Sequence, residues 1–209
     1  MGTHLLIDFE TMGTNVNEAA VIDCSAIVFD TDKMLSNDPY TMKSLAKVKR
    51  FKLSIKDQVS NYGWKIEEET LKFWETVSDD AKTKIKMSPT DLTVNQFCEQ
   101  FIDYLIDNPK IDRWWSRSNT FDPIIIWRIF KAAQKASHLE AHLSYWKVRD
   151  IRTFIDAKLN FPAMTSFVPV EDEEFWNKAF VQHDSSWDVL ADVLRMQTIF
   201  RIENDLEQI

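Results

Sequence analysis

The chain has 209 residues, 44% hydrophobic and 28% charged, enough apolar content for one sizeable core and a single domain over 1–209. A net charge of -8 argues against broad adhesion to nucleic acid through a basic surface, and three glycines leave no Gly-rich phosphate loop or dinucleotide fingerprint. Cys24 and Cys98 are too few and too far apart for a disulfide framework or a C-x-x-C site, which fits a reducing cytoplasm.

The apolar runs at 26–29 and 123–127 are too short to span a bilayer. The N-terminus shows no signal-peptide h-region, and Leu6 breaks the myristoylation pattern, so a cytoplasmic protein with no membrane partner is expected.

The stretch HLLIDFETMG at 4–13 predicts a strand over about 4–9 that runs out on Asp8 and Glu10. Residues i and i+2 of a strand share a face, so the two acids project together while Phe9 points to the other side. Two like charges so placed repel, and a shared cation or a shared proton relieves them. A solvated strand end is the plainer alternative.

A turn around Gly13 to Asn17 leads into a second strand within AAVIDCSAIVFD at 19–30, and a third lies near 47–55. Lys43, Lys47, Lys49, Arg50, Lys52 and Lys56 crowd that region, either as a local nucleic-acid contact or as the solvated face of an edge strand. Helical spacing follows over 67–77, with Leu71, Trp74 and Val77 inward. Pro89 and Thr90 open a longer helix whose stripe of Leu92, Val94, Phe97, Phe101 and Leu105 reads as core contact.

A short strand near 112–117 passes through SNTFDP into a helix beginning near Pro123, and another helix falls near 132–142. WKVRDIRTFIDAKL at 146–159 reads as a strand into a helix, and EDEE at 171–174 as an exposed loop. The last helix runs over 184–203, with Leu190, Val193, Leu194 and Ile199 inward. Three strands followed by strands alternating with helices predict an α/β fold, a mixed sheet covered by helices.

Asp122 sits where a strand gives way to a helix, and Asp188 lies in the first turn of the last helix, five residues after His183. Singly, each acid would be a helix-start carboxylate facing the dipole, and the histidine a capping or surface residue or a pH-tuned catalyst. As a set they carry more. D-x-E on the first strand, N-x-x-D before a helix and H-x4-D at the last helix resemble the DEDDh group of 3′→5′ exonucleases.

The matching pieces IDFETMG, AAVID, TLKFW, RDIRT and HDSSWD run from residue 7 to residue 188 and are similar in particular to the T-even bacteriophage branch of that group. The wider group usually shows alanine two residues after the histidine, where this chain has Ser185.

The resemblance implies a ribonuclease H-like mixed β-sheet of about five strands flanked by α-helices. It also implies a catalytic set of Asp8, Glu10, Asp122, Asp188 and His183, the four acids holding two Mg2+ or Mn2+ ions and the histidine acting as general base. Phe9, Thr11 and Met12 would contact the 3′-terminal nucleotide, although alternation equally suits Phe9 to the core, and Asn119 would brace the strand end or touch substrate. The implied reaction releases nucleoside monophosphates from the 3′ end of single-stranded nucleic acid. DNA is favoured over RNA, an exoribonuclease is the alternative, and the chain would act as a monomer or homodimer.

The residue types suit this chemistry. Carboxylate oxygens match hard cations, and the lack of cysteine and paired-histidine ligand sets argues against zinc. A histidine with an ordinary pKa of about 6.5 can take a proton from water near neutral pH. Two other readings compete. HLEAH sets His138 and His142 at helical zinc-ligand spacing, but Leu139 stands where a zinc protease needs glutamate. A binding module that lost the chemistry would be expected to lack at least one of the five residues, and all five are present.

Overall fold

The first strand, β1 (Thr3–Thr11), divides its side chains between two cores. Leu5, Ile7 and Phe9 enter one core, Leu6 enters the other, and by alternation Asp8 and Glu10 continue the row of Leu6. The computed structural model describes residues 2–159 and 180–204, so the acidic run at 171–174 lies outside the described residues.

Strand β2 (Val21–Asp30) pairs antiparallel with β1, placing Ser25 opposite Asp8 and Asp23 opposite Glu10. The register shifts after Glu10, because Thr11 pairs with Val21 and Ile22 is left over as a bulge. A short helix, α1 (Thr31–Met34), and a 3-10 turn over 42–47 then lead to β3 (Lys49–Lys52), antiparallel to β2.

Helices α2 (Ile55–Tyr62), α3 (Glu68–Thr76), α4 (Asp79–Ile85) and α5 (Val94–Asp107) follow before β4 (Arg113–Ser116), which pairs parallel to β1. After α6 (Asp122–Ala132) and α7 (Ala136–His142), β5 (Val148–Asp150) adds parallel to β4 and runs directly into α8 (Ile151–Leu159). The last described element is α9 (Ser185–Glu203). The sheet has five strands in the order β3-β2-β1-β4-β5, the mixed α/β arrangement expected from the sequence.

Helices α5 and α6 cover the face that receives Phe9. There Phe97 and Phe101 pack with Phe51 and Phe130, and each such buried ring contributes roughly 1.5–3 kcal/mol. Helices α8 and α9 cover the other face through Ile151, Ile155, Val189, Leu190, Val193 and Ile199. Helix α9 is buried on nearly all sides over 189–197, since Gln197 also holds the 36–41 loop by bonding both the N–H and the carbonyl of Tyr40.

Several boundaries differ from the sequence reading for visible reasons. The longer helix starts at Val94 rather than near Pro89, because Leu92 is held extended against β3, its N–H bonding the Lys52 carbonyl. Thr93 then caps the helix in a reciprocal box with Gln96. The expected third strand stops at Lys52; Ser54 caps α2, which ends on Gly63 in the left-handed conformation. In α3, Trp74 is the inward residue and Leu71 is exposed. Within the basic stretch, Arg50 turns inward while Lys43, Lys47, Lys49 and Lys56 lie exposed on or beside the edge strand.

Candidate active site

At the C-terminal end of β1 the row begun by Leu6 meets the first turn of α9. Asp8, Glu10 and Asp188 each offer a carboxylate oxygen there, all within 4.8 Å of one another. Burial, and then Asp122, Glu10 and Asp188, push the Asp8 carboxyl well above the usual carboxylate range. Burial raises Glu10 likewise, with Asp188 and Asp23 adding to it. Burial, with Asp192 next, carries Asp188 up to about 7, although Arg195 and Arg117 pull it down. Acids so reluctant to ionise together form a donor set that a hard cation would relieve.

Asp122, the first residue of α6, is buried at the same end of the sheet. Its Oδ1 accepts the Phe9 N–H at 3.1 Å, and burial raises it to about 7 against the lowering effect of that bond. The carboxylate therefore bridges α6 to β1. It faces the same cleft as the other acids without joining the 4.8 Å group, so three of the four predicted metal ligands converge and Asp122 stands beside them.

His183 lies in the turn before α9, where its φ of 63° is left-handed. Such backbone is uncommon for a non-glycine residue and marks a position held by its surroundings. The ring stands edge-on to Phe73 at 4.9 Å and to Trp74 at 6.4 Å. Trp74 is itself fixed, its indole N–H bonding the Thr11 carbonyl at 3.0 Å. Burial lowers the His183 pKa, which leaves a neutral imidazole able to accept a proton.

All five predicted catalytic residues line one cleft of about 790 Å³, together with Arg117, Arg152 and Arg195. Sequence reasoning passed over the cations and their partner Asp192, a buried acid that pairs with both Arg117 and Arg195, the latter at 2.7 Å. Asp188, Asp192 and Arg195 do recur at i, i+4 and i+7 on one face of α9, a spacing that a solvated helix face shares.

The expected substrate contacts are placed less favourably. Phe9 lines the cleft but is 4% exposed, its ring edge-on to Phe97 in the core. The Thr11 hydroxyl donates to the Gly13 carbonyl at 2.6 Å, and Met12 is packed into the same core as Phe9. Asn119 is exposed, and its N–H bonds Asp150 at 3.0 Å. Among the described residues the metal-capable group is Asp8, Glu10 and Asp188, so the His138 and His142 pair has no third ligand beside it.

Residues 3–190 match the family described as the 3'-5' exoribonuclease Rv2179c-like domain. A relative from Enterobacteria phage T4 named Exodeoxyribonuclease is 30% identical over 97% of this chain and 91% of its own length. Among solved structures, E. coli exonuclease I in complex with a dA16 oligonucleotide aligns with a TM-score of 0.64 at 15% identity, over 99% of this chain and 42% of that one. The chain thus spans about two-fifths of the exonuclease I structures. Pop2p of S. pombe in its Mg2+ and Mn2+ bound form aligns with a TM-score of 0.62 at 13% identity, over 98% of this chain and 85% of that one. The match across nearly all of the described sheet and its acids places this chain in the 3'-5' exoribonuclease Rv2179c-like domain family, as a 3′–5′ exonuclease.

Proposed function

We propose that the protein shortens single-stranded DNA from its 3′ end, hydrolysing one phosphodiester at a time with Mg2+ or Mn2+ in a two-ion site and releasing nucleoside monophosphates. The convergence of Asp8, Glu10 and Asp188 within 4.8 Å, in one cleft with Asp122 and His183, carries the reading. The donor set is all oxygen, which suits these cations rather than zinc. When bound, the ions would supply Lewis-acid stabilisation of the attacking and leaving oxygens.

The chain's own residues do the rest. Neutral His183 takes the proton of the nucleophilic water, its ring held at the cleft wall against Phe73 and Trp74. Asp122, buried against β1, holds the start of α6 beside the acids and would supply the fourth carboxylate to a bound ion. Arg117 and Arg195, anchored by Asp192, place positive charge beside the incoming phosphodiester, whose negative charge would otherwise meet four acids. This local charge lets a chain of net charge -8 accept a polyanion.

DNA is favoured by the 30% identity to the T4 relative over nearly its whole length. The family description favours the second reading, an exoribonuclease. Equal amounts of 5′-labelled single-stranded DNA and RNA of one sequence, digested together with Mg2+, separate the two. Faster loss of the DNA supports the proposal, and faster loss of the RNA replaces it with the second reading.

A further inference from the structure

Ser185, where the wider exonuclease group usually has alanine, is fully buried as the first residue of α9. It stands two residues after His183 and three before Asp188. Its hydroxyl donates to Asp23 Oδ1 at 2.6 Å and lies 2.7 Å from Ser25 Oγ, which in turn lies 2.9 Å from Ser186 Oγ. A hydroxyl has one proton, and Ser185 gives its proton to a carboxylate that can only accept. Ser25 must therefore donate to Ser185, and Ser186 to Ser25. The protons run in one direction, towards Asp23.

The circuit closes through Arg50. Its Nε donates to Asp23 Oδ2 at 3.0 Å, and its Nη1 lies 3.6 Å from Asp184 Oδ1, the oxygen that caps α9 by accepting the Ser186 N–H. Asp23, Ser25 and Arg50 project from the sheet face that carries Asp8 and Glu10, and register sets Asp23 opposite Glu10 and Ser25 opposite Asp8. Hydrogen bonds and the Arg50–Asp184 ion pair thus join β2, β3 and the histidine turn in one ring, across 162 residues between Asp23 and Ser185.

We propose that this ring is a positioning device for the reaction, with Ser185 as the residue that fixes the His183 turn against the acids of β1. An apolar contact would pack the helix as well, but it would not set its rotation or its height along the strands. A buried polar network whose members are all partnered sets both, because its bonds form at only one register of the helix on the strands. The left-handed His183 backbone is the feature that needs such a hold. The inference rests on the exonuclease reading for its kinetic arm and on the structure alone for its spectroscopic arm.

The test compares full-length wild type with Ser185→Ala and Ser25→Ala, by Mg2+-dependent digestion of labelled single-stranded DNA and by NMR of 13C,15N-histidine. The expected result is a kcat lower by about tenfold or more with KM within about twofold, as small misplacements near chemistry produce. The His183 ring resonances would move or broaden, and Tm would fall by only a few degrees, as the loss of one buried hydrogen bond requires. Unchanged kcat in both variants would overturn the proposal, and so would a fall in kcat that only parallels a fall in Tm. A wild type that degrades no strand defeats the exonuclease reading instead. The histidine spectra would then decide alone, shifted resonances in a variant that still unfolds cooperatively supporting the positioning ring and unshifted ones overturning it.

Discussion

His183 combines three properties that rarely coincide: a left-handed backbone, a ring held edge-on to Phe73 and Trp74, and a pKa lowered by burial. His183→Ala should lower kcat by about 10²–10⁴-fold while Mn2+ affinity stays unchanged, measured by single-turnover digestion and calorimetric titration. The rate should rise with pH through the lowered imidazole pKa, so the acid limb of kcat/KM falls below the ~6.5 of a free histidine. The D-x-E and H-x4-D spacings made Asp8, Glu10, His183 and Asp188 legible in the sequence, because each pair sits on one local element. Asp23 and Asp192 were not legible as parts of the site. Asp23 meets Ser185 only after a long chain closure, and Asp192 has the ordinary look of a helix acid until Arg117 and Arg195 enclose it.

At the scale of elements, alternation along β1 does most of the sorting. Phe9 goes to the core by the same rule that sends Asp8 and Glu10 to the cleft, and its expected contact with substrate is opposed by that packing. Trp74 ties α3 to the end of β1, and Trp74→Phe removes the bond to the Thr11 carbonyl and leaves a smaller aromatic ring in the core. The variant should lose about 1–3 kcal/mol in urea unfolding and show a greater loss in kcat than in substrate affinity. Helix α2 ends on Gly63 at a φ of 68° with open space around the position, so Gly63→Ala measures backbone strain alone. An unfolding free energy lower by about 1–2 kcal/mol with an unchanged m-value is expected. The α2 signals, Ser54 before the helix and Gly63 after it, were in the sequence but were masked by the alternation of Phe51, Leu53 and Ile55 with polar residues, which read as a longer strand. Leu92 misled in the opposite sense: its place in a helical stripe hid a backbone bridge to Leu53 that depends on a distant strand.

Across the whole molecule, strands that pair antiparallel first and parallel later bring the end of β1, the start of α6 and the start of α9 to one end of the sheet. The order of elements was legible from periodicity, whereas the convergence of their ends is a property of the assembled sheet. The electrostatic cost of that convergence sets the pH behaviour. Asp122 and Asp188 rise to about 7 and Asp8 and Glu10 rise as well, so the folded state holds more protons than the unfolded chain between its carboxylate pKa values of ~4 and that range. Stability without metal should therefore be greatest below about pH 4–5 as far as these groups decide it, and should fall as pH rises towards 7. Added Mn2+ should raise Tm more at pH 8 than at pH 5.5, since at pH 5.5 protons compete for the same oxygens. Equal increments at both pH values would contradict cation binding by these acids.

The most direct test of the central claim is a time course of 5′-labelled single-stranded DNA with wild type and Asp8→Ala, in EDTA and then with Mg2+ restored. The account predicts a ladder shortening from the 3′ end that appears only with wild type and Mg2+. Full activity in EDTA, or an Asp8→Ala variant as fast as wild type, would contradict it.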